Sequence, residues 1–313
     1  MHVMGLAVGV VAMLCDGAAQ AQMTPAQAAA IAGDPSAKPQ RLTLIDLPKP
    51  TGPATALFNG RDLAEWQPWL GYADPALTYR RPAIAPLGTT MDASQTFSVV
   101  TEDGAPALRV EGKTWGSLVH KGDYRDYHLS LEFKWGGQVW APRLTEPQNN
   151  GLLFHSHGAP GVVWGTWMRA VEFEIMRGST GMVVPVGDDI RLRTSAAQDM
   201  DIIYPHRRFR VGGRAIDLRN HANPDWNVEA ASDAEKPVGA WNRLDLYAVG
   251  DRAIYVVNGV PVMEVHDLAE LDAAGKRVPL THGRIQLQSE GAETFFRNIR
   301  LEPIARLPKI VVR

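Results

Sequence analysis

Two glutamates stand two residues apart in Val171-Glu172-Phe173-Glu174-Ile175-Met176, and two histidines stand two apart in Leu152-Leu153-Phe154-His155-Ser156-His157. Side chains of a strand alternate between its faces, so Glu172 and Glu174 share one face and Val171, Phe173 and Ile175 the other. By the same rule Leu153, His155 and His157 point away from Leu152 and Phe154. If the apolar faces meet in one core, two carboxyls and an imidazole lie on the far side of the same sheet. That set could exchange protons with a polar ligand. The Cα atoms of Glu172 and Glu174 would be roughly 6.5–7 Å apart, which overlaps the carboxyl spacing of about 6.5–9.5 Å in inverting glycosidases. Glu172, Glu174 and His155 are therefore the acid-base candidates. His155 and His157 also form an H-x-H pair that could hold a divalent metal, with no third ligand evident.

Further residues could contact the ligand. Trp164 and Trp167 lie in the connection between the two strands and Trp140 lies ahead of them, all offering aromatic faces to a sugar ring. Arg169 could reach a sugar hydroxyl or pair with Glu172. Along residues 283–290, Gln286, Gln288 and Glu290 share one face. Asn150, Trp164, Trp167, Arg169, Gln288 and Glu290 are the candidates for substrate contact. Other chemistries find no support: there is no G-x-S-x-G elbow, no Walker pattern, and the one cysteine, Cys15, lies in the apolar N-terminal segment, residues 1–21.

The elements that must position these residues read as short strands. His128, Ser130, Glu132 and Lys134 alternate with Leu129, Leu131, Phe133 and Trp135, the mark of a strand with one buried face. Residues 97–100 and 107–110 flank a Glu102-Asp103-Gly104 turn. Asn258-Gly259 between two apolar runs signals a tight hairpin. Residues 41–47 could form an edge strand, residues 72–95 a long loop of the kind that often binds ligands, and residues 268–274 a short helix. Residues 179–233 read as a weakly patterned insertion that could cover one end of a sheet or complete a site. Many short strands with one-sided burial predict an all-β fold, an antiparallel jelly-roll sandwich of two sheets with one polar face left for a ligand.

Length and composition agree. The 313 residues carry a formal net charge of −2, which argues against nucleic acid or an acidic membrane surface as a partner. Residues 1–21 resemble a secretory signal: an apolar run from Val3 to Leu14, too short to span a membrane, ends in Ala19-Gln20-Ala21. Its removal would leave a cysteine-free periplasmic or secreted protein, not inserted in a membrane, with a leader over residues 22–53, a sandwich over 54–304 and a tail over 305–313. The oligomeric state is open.

An ordered set of motifs carries a family resemblance. Leu57-Phe58-Asn59-Gly60-Arg61-Asp62-Leu63 through Trp66, Asn150-Gly151-Leu152-Leu153-Phe154, Val171 to Ile175, Trp241-Asn242, Val257-Asn258-Gly259, and residues 283–291 through Phe296-Arg297-Asn298-Ile299 together resemble the 3-keto-disaccharide hydrolase family, whose fold is similar to concanavalin A-like lectins and glucanases. The resemblance implies action on glycosides whose C3 hydroxyl has been oxidised to a ketone, by elimination and hydration or by hydrolysis. A carbohydrate-binding module without catalysis is the alternative. An enzyme should hold at least one of Glu172, Glu174 or His155 in a cleft with a shifted pKa, whereas a binding module would show a shallow aromatic platform.

Overall fold

The computed structural model describes residues 40–199, 207–220 and 225–313, so the signal-like segment, Cys15 and most of the leader lie outside the described residues. In chain order the first strands are β1 (Leu42–Ile45), β2 (Thr55–Ala56), β3 (Trp66–Leu70), β4 (Phe97–Glu102), β5 (Ala105–Val110), β6 (Gly116–His120), β7 (Tyr127–Val139), β8 (Asn149–His157), β9 (Arg169–Met176) and β10 (Val183–Val186). They are followed by β11 (Ile190–Gln198), β12 (Arg207–Phe209), β13 (Arg214–Arg219), β14 (Asn242–Val249), β15 (Arg252–Val257), β16 (Val260–Leu271), β17 (Arg277–Pro279), β18 (Arg284–Ser289), β19 (Ala292–Pro303) and β20 (Lys309–Val312).

These strands form an all-β, antiparallel two-sheet jelly-roll sandwich of the concanavalin A-like type. The smaller sheet has six strands in the order β10-β9-β8-β18-β6-β3. Proline, which cannot donate to a ladder, stands in both its edge strands, as Pro68 in β3 and Pro185 in β10. The larger, twelve-stranded sheet follows β12-β11-β16-β15-β14-β7-β19-β5-β4, with β13, β17 and β2 pairing alongside. A separate ribbon joins β1 to β20.

The core lies between the sheets. Leu129, Leu131, Phe133 and Trp135 of β7 face Leu152 and Phe154 of β8 and Val171, Phe173 and Ile175 of β9 in one apolar layer. Directly beneath the Glu-x-Glu strand, the Phe173 and Tyr255 rings stack at 4.4 Å and 6°. The Tyr255 hydroxyl donates to the Glu172 carbonyl at 3.3 Å. Because Phe173 is locked in this way, Glu172 and Glu174 must point out of the sandwich.

Two expectations are corrected. Residues 179–233, weakly patterned in sequence, are built into the fold rather than laid over it: among the described residues they contribute β10 to β13, and β11 extends the large sheet by pairing with β16. Ile190, Leu192, Thr194 and Ala196 of β11 are buried while its arginines face water, so the core half of the strand is partly small or polar and easily missed. Residues 268–274 are not a helix either. β16 runs on to Leu271, then Asp272 Oδ1 accepts from the backbone N–H groups of Ala274 and Lys276, an Asx turn that sends the chain back as β17. The Asn258-Gly259 hairpin forms with positive φ at both residues, 49° and 82°.

Candidate active site

The outer face of the six-stranded sheet carries the site. Register pairs Gly151 of β8 with Glu174 of β9, and Leu153 with Glu172. On the other flank of β8, Gln286 of β18 pairs with Leu153, so Gln288 comes level with Gly151. A glycine thus sits at the centre of a ring of polar side chains. A Cβ there would lie 2.1 Å from Glu172 Oε1 and 2.7 Å from Gln288 Oε1, so the Glu172 carboxyl occupies the space that any other residue would fill. Gly151→Ala is therefore expected to expel the Glu172 carboxyl, cutting turnover at least tenfold and costing about 1–3 kcal/mol from overpacking. Kinetics with chemical denaturation check this, and wild-type turnover in the variant would contradict the placement.

Glu290, just past β18, completes a group of three carboxyls. Glu172, Glu174 and Glu290 keep only 4%, 5% and 4% of their surface exposed. Glu290 Oε1 accepts from the Tyr79 hydroxyl at 2.9 Å and from Arg143 Nη2 at 2.5 Å. Arg143 lies over the Trp115 ring, 5.3 Å from its centroid, and its Nη1 donates to Glu146 at 2.6 Å. Tyr79 comes from a short 3-10 helix, Pro75–Arg80, capped by the Asp74 carboxylate and set within the 72–95 loop. About half of Tyr79 is exposed, yet its hydroxyl points inward, and burial there, then Glu290, raise its pKa.

Electrostatics set the protonation of this group. Burial is the largest cause pushing Glu172 well above the ordinary carboxyl range, followed by Glu174 and Glu290, with Arg143 opposing. Glu174 is pushed up to about 8, by burial and then Glu290, against Arg143 and a hydrogen bond from Asn149. At neutral pH both therefore hold protons. Across the window from about 4.5 to 8 the folded chain keeps a proton at Glu174 that the unfolded chain has released. Stability contributed there falls as pH rises through that window. Glu174→Gln is expected to melt roughly 3–8 °C above wild type at pH 8.5, with the gap closing toward pH 5. Parallel melting curves across pH would contradict the raised pKa.

His155 is corrected. The β8 ladder slips between Phe154 and His157, with His155 at φ 50°, and this bulge turns its ring into the layer between the sheets. There it meets Phe154 at 5.0 Å and Tyr127 at 6.1 Å, and burial lowers its pKa to about 4. His157 leaves in another direction, its Nε2 donating to Glu270 Oε2 at 2.7 Å. The pair does not converge, and among the described residues no group of three or more His, Cys, Asp or Glu side chains is placed to hold a metal ion.

Two substrate-contact candidates, Asn150 and Trp167, are buried in packing, and a third, Arg169, lies away from Glu172. Asn150 pairs with Ile175, faces the core, and donates to Thr294 Oγ1 at 3.1 Å, a polar tie between the sheets. Trp167 is buried in a second apolar cluster with Trp115, Leu153, Val163 and Ala170, where it plugs the outer face. Arg169 does not reach Glu172; its Nε pairs with Asp189 at 2.7 Å. Trp140 donates to the Glu111 carbonyl at 3.0 Å and packs under Lys113. Gln288 and Glu290 stand in the site, and Trp164 stands at its margin, 5.1 Å from the Tyr79 ring. Sequence reasoning missed Tyr79, Arg143, Asn149 and Gly151. For Tyr79 the long loop was a signal; for Arg143 no local pattern existed.

A jelly-roll sandwich whose outer face gathers protonated carboxyls, a guanidinium and aromatic rings belongs with carbohydrate-active proteins. Residues 53–302 match the 3-keto-alpha-glucoside-1,2-lyase-like domain, and the chain belongs to that family. No curated protein matches the chain by sequence. Among solved structures, a Parabacteroides distasonis protein described as a candidate glycosyl hydrolase is 17% identical, covering 81% of this chain and 100% of its own, with a TM-score of 0.44. A Bacillus subtilis protein with a galectin-like fold is 12% identical over 83% and 100% of the two chains, with a TM-score of 0.45. A Bacillus licheniformis β-glucanase is 11% identical over 82% and 100%, with a TM-score of 0.41.

Proposed function

We propose that the protein is an exported enzyme that cleaves 3-keto-glycosides by elimination across C1 and C2. The observation that carries this reading is the cluster of three buried carboxyls, Glu172, Glu174 and Glu290, the last bridged to Arg143 and Tyr79. A binding module has no need to bury three carboxyls and raise two of their pKa values; an acid-base catalyst does.

The C3 ketone makes the C2 hydrogen acidic. Glu174, with a pKa of about 8, is a strong base in the fraction of molecules where it is ionised, and it takes the C2 proton. Negative charge develops on the C3 oxygen, where the Arg143 guanidinium, whose Nε–H is not engaged by Glu290 or Glu146, supplies a donor. The C1–O bond breaks, a C1–C2 double bond forms, and Glu172, which also holds a proton, gives it to the departing oxygen. Water then adds at C1. The test is turnover of 3-keto-maltose, 3-keto-trehalose and methyl 3-keto-glucoside set beside their unoxidised parents. Cleavage of the keto forms alone, with exchange of the C2 hydrogen into deuterated solvent, is expected; cleavage of the unoxidised sugars at similar rates would exclude elimination.

A further inference from the structure

Trp164, whose ring lies 5.1 Å from that of Tyr79, also lines a cavity of about 650 Å3 whose lining includes none of Glu172, Glu174 or Glu290. We infer that it is a subsite for a neutral sugar, the group that departs from C1. Its volume falls within the range of small-molecule sites, about 300–1,000 Å3.

The backbone at its mouth is the first argument. Trp164 has φ 51° and Gly165 φ 74°, so a bulky residue is held in the left-handed region. Gly165 cannot be replaced without collision, since a Cβ there would lie 2.5 Å from the Tyr72 hydroxyl. Strain of this kind persists where the surrounding structure enforces it, and such residues gather at ligand sites. Here it fixes an indole whose ring lies 5.1 Å from Tyr79 and 5.7 Å from Trp167 and which also lines the cavity.

Charge supplies the second. The lining holds two guanidiniums, Arg81 and Arg169, against three carboxylates, Asp188, Asp189 and Asp272. Arg81 Nη2 donates to both oxygens of Asp188, at 3.0 and 2.9 Å, and Arg169 pairs with Asp189. Planar donors and acceptors fixed in pairs beside an aromatic wall suit vicinal hydroxyls. With no surplus of positive charge, the lining does not suit a phosphate or a uronate. Arg81 follows Tyr79 by two residues, so one segment reaches both the carboxyls and the cavity. Trp164 and the segment of Tyr79 and Arg81 border both spaces, which puts a second sugar unit beside the first.

The role as leaving-group subsite rests on the elimination reading, but occupancy is measured with unoxidised sugars and needs no turnover. Calorimetric titration of the full chain with glucose, maltose and glucuronate is the experiment, on wild type, Trp164→Ala and Ala273→Trp. The second variant fills the cavity from an exposed turn, and guards against a folding defect in the first. Glucose and maltose are expected to bind wild type in preference to glucuronate and to lose at least tenfold in affinity in both variants. Each variant is also expected to raise the ratio of KM for 3-keto-maltose over methyl 3-keto-glucoside at least tenfold. Absence of glucose and maltose binding, or wild-type affinity in both variants, would overturn the assignment.

Discussion

Glu174→Gln is expected to lower kcat for a 3-keto-disaccharide by about 10²–10⁴, the usual worth of a positioned general base. The amide keeps the shape of the carboxyl but cannot take the C2 proton. Wild-type kcat/KM is expected to rise with pH toward about 8, following ionisation of Glu174, and to fall again only where Glu172 loses its own proton. These are properties of a coupled pair, so the two limbs belong to the pair rather than to either residue alone. Glu172→Gln separates the roles. Losing the acid should matter little for a nitrophenyl leaving group, which departs without a proton, and a hundredfold or more for a sugar. Loss of C2 hydrogen exchange in Glu174→Gln but not in Glu172→Gln is the decisive pattern. If Glu172→Gln abolished exchange and Glu174→Gln did not, the base and the acid would be the other way round.

That pattern can be stated because the sequence already placed Glu172 and Glu174 on one face, and the Phe173–Tyr255 stack leaves them no other direction. Period-two reasoning works where a strand is regular. It fails at His155, because one bulge residue at positive φ reverses the ring and nothing in Phe154-His155-Ser156 announces a bulge. Asn150 was a different kind of miss: alternation puts it with Leu152 and Phe154 on the core side, and a polar type at a motif position outweighed the geometry. Its bond to Thr294 shows how such a residue is tolerated between sheets. The charged faces of β11 and β13 hid strands whose buried halves include Thr194 and Ala196. Tyr79 and Arg143 join Glu290 across sequence separations of 211 and 147 residues, a juxtaposition that only tertiary structure creates.

Arg143 is where charge, stability and chemistry meet. Its guanidinium opposes the raised pKa of both Glu172 and Glu174 and donates to Glu290, and its side chain is only 17% exposed. Removing one partner of a buried pair leaves the other charge uncompensated, at a typical cost of about 3–5 kcal/mol. Arg143→Met is expected to approach that cost at pH 8 and to lose about 10²–10³ in kcat, because no cation then meets the developing charge on the C3 oxygen. The stability loss should largely vanish in the double variant with Glu290→Gln, because that change removes the stranded charge. Activity should not return in the double variant. Arg143→Lys keeps the charge but not the fork that spans Glu290 and Glu146, so it should recover more stability than turnover. A double-mutant cycle at pH 8 measures all of this. A coupling energy near zero would mean that Arg143 acts through its packing on Trp115 alone.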